Sequence, residues 1–147
     1  MAITQQAILD AIQSTLTGDA GAGGLNTLTG GRINEVYAGQ DVTLPFIVHQ
    51  LIDPDLEQYF AIDDIQIEFQ LDHYGLAASG TKATRAMADR AFALLHRQPI
   101  TITGYSGCQM LCMATGDTPE RETVGGEKTS QDAWRITQRY KLFGTGS

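Results

Sequence analysis

Four carboxylates, Asp53, Asp55, Glu57 and Asp64, stand at the first, third, fifth and twelfth places of a calcium-binding loop, and carboxylate oxygens are the ligands this hard cation takes. Two departures weaken the match. Gln58 occupies the place where the sharp turn needs Gly, and Asp64 is too short to reach the ion as the usual bidentate Glu does. The flanks give no helix pair, so a solvated acidic turn beginning at Asp53-Pro54 is expected and no metal or cofactor is assigned. Gly104-Tyr105-Ser106-Gly107 approaches a nucleophile elbow, but it lacks the second Gly and the strand-to-helix turn that would present the serine, so it reads as a bend. The glycines between Gly18 and Gly31 suggest a phosphate cradle, yet no Lys follows them and the segment leads into Arg32 and a strand. His49, His73 and His96 have no ligand spacing, and Asp72 beside His73 points to the opposite side of a strand. They are expected to be surface or interface histidines. Cys108 and Cys112 lie four residues apart on a strand, about 13 Å between Cα atoms, which is too far for a disulfide. Free thiols of a reducing compartment are expected.

The elements that must position these residues follow from periodicity. From Gln5 to Leu16, Ile8, Leu9, Ile12 and Leu16 share one helical arc, and Gly18 ends the helix. The stretch 18–31 is too rich in Gly for regular structure and is expected to be a mobile loop. Arg32 to Ala38 and Thr43 to Ile52 read as strands, as does Ile65 to Leu71, where Ile65, Ile67, Phe69 and Leu71 alternate with Gln66, Glu68 and Gln70. A second helix is expected from Thr81 to about Arg97. Its apolar arc holds Ala83, Met87, Ala88, Ala91, Phe92, Leu94 and Leu95, and its opposite arc holds Lys82, Arg85, Asp89, Arg90, His96 and Arg97. Pro99 closes it. Ile100 to Met113 is strand material, residues 114–132 form a second long loop, Ala133 to Phe143 is the last strand, and 144–147 is a short tail. The order gives one α+β domain over residues 1–147, a mainly antiparallel sheet with two helices packed on one face and two long loops.

Charge is distributed unevenly over these elements. Up to Thr81 eleven acidic residues meet the single Arg32, a balance of −10, whereas from Lys82 onward nine basic residues meet six acidic ones. The total is −7 over 147 residues. Such a total argues against sequence-independent nucleic-acid binding, because affinity for phosphates comes from displacing counterions with Lys and Arg. A two-sided chain instead suits self-association, since complementary patches steer encounter and fix register. The expected contact surfaces are the acidic turn Asp53, Asp55, Glu57, Asp63 and Asp64 and the basic helix face Lys82, Arg85, Arg90 and Arg97. Arg135, Arg139 and Lys141 form another basic face, expected to pair across strands with Glu68 and Asp72. No apolar run could span a bilayer and no basic leader precedes one, so synthesis in the cytosol without a membrane partner is expected.

The stretch from Leu44 to Phe143 resembles the tail-completion, or tail-terminator, proteins of long-tailed bacteriophages. The resemblance is carried by Leu44-Pro45-Phe46-Ile47-Val48, by Ile65-Gln66-Ile67-Glu68-Phe69, by the helix Ala83 to Leu95, and by Trp134-Arg135-Ile136-Thr137-Gln138-Arg139-Tyr140. It implies a structural protein of the virion, six copies of which form a ring on the head-proximal end of the tail tube. Such a ring ends tube polymerisation and docks to the head connector or stopper protein. Its partners are further copies of itself, the tube protein and the connector, while DNA passes through without specific binding. Glu120, Glu122 and Glu127 are then candidates to face the lumen. A head-closure or head-tail joining protein, a small hydrolase using Ser106 or the carboxylates around Asp53, and a monomeric ligand-binding module are the alternatives.

Overall fold

The computed structural model describes residues 5–35, 43–52, 65–102, 105–115, 120–124 and 131–146. Helix α1 (Gln5–Thr17) is followed by a four-residue helix α2 (Leu25–Leu28) and strands β1 (Ile33–Glu35), β2 (Phe46–Leu51) and β3 (Ile65–Leu76). A 3₁₀ turn (Ala77–Ser79) leads into α3 (Lys82–Leu95), and β4 (Tyr105–Thr115), β5 (Glu120–Val124) and β6 (Gln131–Gly146) complete the chain. Among the described residues six strands form one sheet in the order β1-β2-β3-β6-β4, with β5 also paired to β6. Only the β1–β2 pairing is parallel among them. The α+β architecture is the expected one.

Strict alternation decides which face of β3 is dry. Ile67, Phe69 and Leu71 are buried and pair with Leu142, Tyr140 and Gln138 of β6, so a single apolar layer runs across the two central strands. The rings of Phe69 and Tyr140 stack at 5.3 Å. Ile8, Ile12 and Leu16 of α1 and Met87, Ala91 and Leu95 of α3 close over that layer in one continuous core. Both helices therefore cover the same face. The opposite face carries the charged register. Lys141 stands directly across from Glu68, Arg139 across from Gln70, and Thr137 across from Asp72, whose carboxylate accepts the Thr137 hydroxyl at 2.6 Å.

Several boundaries differ from expectation. The Gly-rich stretch 18–31 is built around α2 with Leu25 and Thr29 buried, and is no bare loop. Its glycines permit tight packing: a Cβ at Gly24 would lie 2.2 Å from the Asp19 carbonyl oxygen. The stretch 114–132 contains the end of β4, all of β5 and the start of β6; residues 116–119 and 125–130 lie outside the described residues. β4 and β5 pair in succession along one edge of the 16-residue β6, which makes a long bulged hairpin. Its polar sequence hid it, because this part of the hairpin lacks an alternating apolar face. The expected tail 144–147 is strand to Gly146, with Gly144 opposite Ile65 and Gly146 opposite Tyr105. The strand expected from Arg32 to Ala38 is β1, described through Glu35. Gly107, at φ 64, lies within a register shift between Ser106 and Gln109, so where a bend is expected the described residues form a bulged part of β4, and Gly104 lies outside them.

Candidate assembly interface

Two of the three histidines are interior groups, contrary to the surface role expected of them. His49 of β2 and His73 of β3 project into the dry face because each falls on the inward phase of its strand, and both are fully buried. Each meets a glutamine that fixes its tautomer. Gln13 of α1 donates to the Ile33 carbonyl, so its Oε1 must accept from His49 Nε2–H, at 2.6 Å. Gln138 donates to the Ala88 carbonyl, and its Oε1 accepts from His73 Nε2–H at 2.8 Å and from the Tyr140 hydroxyl at 3.1 Å. Burial holds both imidazoles neutral, with pKa values lowered to about 4. Burial likewise raises the Tyr140 phenol and the Cys108 thiol. Cys108 and Cys112 are both free thiols. Gln13 thereby ties α1 to β1 and β2, and Gln138 ties α3 to β3 and β6. Among the described residues no group of three His, Cys, Asp or Glu is gathered as metal ligands, and no helix is long and apolar enough to cross a membrane.

The basic helix face exists, with one member already engaged. Lys82, Arg85, Arg90 and Arg97 are all exposed on α3 and its C-terminal turn. Arg90, however, donates from Nε and Nη2 to the two carboxylate oxygens of Asp19, at 2.7 and 2.6 Å. This bidentate grip holds the Asp19 carboxyl below its ordinary range. Asp19 also accepts the Leu25 amide on its carboxylate and the Asn26 amide on its carbonyl, so it ties the Gly-rich segment to α3. Arg97 takes the left-handed conformation, φ 59, and its amide donates to the Met110 carbonyl at 2.7 Å, which fixes the turn where α3 meets β4. The acidic turn with Asp53, Asp55, Glu57, Asp63 and Asp64 lies outside the described residues, as does Glu127. Glu120 forms an ion pair with Arg135, directly opposite it, and Glu122 is placed by register opposite Ala133.

Sequence patterning missed the apolar part of this surface. Ala83 and Phe92, expected on the buried arc of α3, face outward, and Phe92 is 42% exposed with its ring stacked on His96 at 4.5 Å. His96 Nδ1 accepts the Cys112 amide at 3.0 Å, which holds that stack against β4. Leu76 and Met113 are the other large apolar side chains exposed among the described residues. Leu76 lines a groove of about 370 Å³ with Ala77, Ala78, Trp134, Arg121 and Asp132. A second groove, of about 530 Å³, runs between α1 and residues 99–102. The helix period alone predicts a stripe at Met87, Ala91 and Leu95; Phe92 sits at the stripe's margin, where the sheet's twist decides whether it is covered.

No protein-family model and no curated protein matches the chain. Its fold is nonetheless shared with solved structures. One is a chain from "Virion of native gene transfer agent (GTA) particle", with a TM-score of 0.66 and 17% identity over 99% of this chain and 100% of that one. A second solved chain superposes with a TM-score of 0.52 at 13% identity, covering 96% of each. At these identities the likeness is one of fold. The chain is thus similar, across almost its whole length, to a protein that forms part of a gene transfer agent virion.

Proposed function

We propose that this chain is a structural virion protein, with no catalytic activity and no cofactor, that caps the head-proximal end of a phage-type tail tube. Six copies close into a ring that stops tube polymerisation and offers the docking surface for the head connector, and DNA passes through without specific binding. The observation that carries this reading is the full-length fold shared with a virion chain, and the sequence resemblance to tail terminators points the same way. The exposed cations of α3 supply a contact surface. Lys82 and Arg97 are available to a neighbour's acidic segment around Asp53 to Asp64 and Arg85 to a neighbour's acidic groups, whereas Arg90 already serves Asp19. A ring needs two different surfaces on each subunit, and opposed charges on one chain meet that need.

Electron micrographs of particles made without this chain test the reading. Overlong tails are the expected outcome. Tails of normal length that lack heads would overturn it in favour of a head-tail joining role.

A further inference from the structure

The apolar knob on α3 and the groove beside the 3₁₀ turn lie at different places on the same chain. Phe92 is near the C-terminal end of α3, whereas the groove is walled by Leu76, Ala77 and Ala78 ahead of that helix and by Trp134 on β6. An exposed aromatic and an apolar recess on one molecule form a heterologous pair, and a heterologous contact propagates from copy to copy until it closes. The geometry points to a knob-in-groove joint between two copies of this chain, Phe92 of one entering the groove of Leu76 and Trp134 of the next. The joint rests on the self-assembly in the reading above and names where it takes place.

Charge complementarity selects a second copy as the occupant. Asp89 and Arg85 lie three and seven residues before Phe92, so all three share one outward side of α3, and both charged groups are exposed. The groove's rim carries Arg121 and Asp132, paired at 2.6 Å with side chains 64% and 51% exposed. With Phe92 seated, Asp89 can meet Arg121 while Arg85 meets Asp132, one charge of each sign on either side. Asp89 and Arg85 both lie N-terminal to Phe92, so a copy docked with its helix reversed would carry both charges away from that rim and lose these contacts. The recess of about 370 Å³ exceeds the volume of a phenyl ring. The Trp134 indole N–H, buried without a hydrogen-bond partner among the described residues, gains an acceptor if the incoming helix face brings one. Aromatic anchors in such recesses carry much of an interface's affinity.

Sedimentation velocity and native mass spectrometry on the full chain, up to millimolar concentration, test the joint. The parent is expected to associate, and Phe92→Ala and Ala78→Trp should each weaken association by at least about 30-fold. The first variant lacks the knob but keeps the groove, and the second keeps the knob but fills the groove. An equimolar mixture of the two is therefore expected to give dimers and nothing larger, a result that also proves both variants folded. Met113→Ala should associate like the parent. A parent that remains monomeric, single variants that associate unchanged, a mixture of folded variants without dimers, or a loss seen only with Met113→Ala would each overturn the proposal. Tail lengths in particles without the chain judge the capping role separately from this joint.

Discussion

Arg90 grips Asp19 through two parallel N–H donors, joining α3 to a segment 71 residues earlier in the chain. Because Asp19 also accepts the Leu25 and Asn26 amides, losing its charge should loosen more than one ion pair. Asp19→Asn is expected to speed hydrogen exchange at Leu25 and Asn26 and to open residues 18–31 to proteolysis. The folded-state pKa of Asp19 lies below the unfolded value of 3.8, so its contribution is present above that value and is lost as pH falls through the folded one. The same amides should therefore lose protection in strong acid in the parent, and a pH-independent exchange pattern would contradict the assignment.

Gly75 of β3 and Thr84 of α3 pack without room for a methyl group. A Cβ at position 75 would fall 2.1 Å from Thr84 Oγ1, a buried hydroxyl without a partner among the described residues. Gly75→Ala should destabilise by about 1–3 kcal/mol through overpacking. Adding Thr84→Ala removes the colliding oxygen and leaves the Thr84 Cβ at 3.3 Å, a contact small shifts can absorb. Urea denaturation of both variants should show most of the loss recovered in the double variant.

The two buried histidines predict an acid-labile fold. Each has a folded pKa near 4 against 6.5 when unfolded, so the unfolded chain binds protons first as pH falls. Stability is complete above pH 6.5 and declines toward pH 4, by up to about 3 kcal/mol for each imidazole. Protonation would add a second N–H at Nδ1, an atom with no partner among the described residues. Urea midpoints measured from pH 7 to pH 4.5 should fall steadily, and the combined His49→Gln, His73→Gln variant should show a flatter profile.

The base of the long hairpin carries surface ion pairs of modest value. Glu120 and Arg135 face each other across β5 and β6, and both are accessible to solvent. A double-mutant cycle with Glu120→Gln and Arg135→Gln should give a coupling below about 1 kcal/mol that shrinks with added salt. Strong, salt-independent coupling would mean the pair is sealed from water.

How much of this was legible in the sequence depended on whether a residue faced one environment or two. Ile67, Phe69 and Leu71 alternate with polar neighbours, so their face could be read directly, and the register then set Glu68 opposite Lys141. The hairpin of Glu120 to Val124 with β6 was not legible, because its polar residues present no dry face from which to read a strand. The polarity of His49 and His73 suggests exposure, whereas the inward phase of each strand buries them. Their glutamine partners lie 36 and 65 residues away, beyond any local pattern.

The sequence by itself determined the elements with a strong period: α1, α3, β3, the core of β6 and the one-sided placement of charge. Those follow from local spacing, since period 3.6 or 2 places apolar groups on one side whatever else the chain does. Only the tertiary structure decided which charges and apolar groups remain available. It gave Arg90 to Asp19, exposed Phe92 at the margin of the helix stripe, and set Leu76 beside Trp134 as the wall of a groove. The physical reason is that these outcomes depend on sheet twist and on contacts between residues far apart in the chain, which no local window contains.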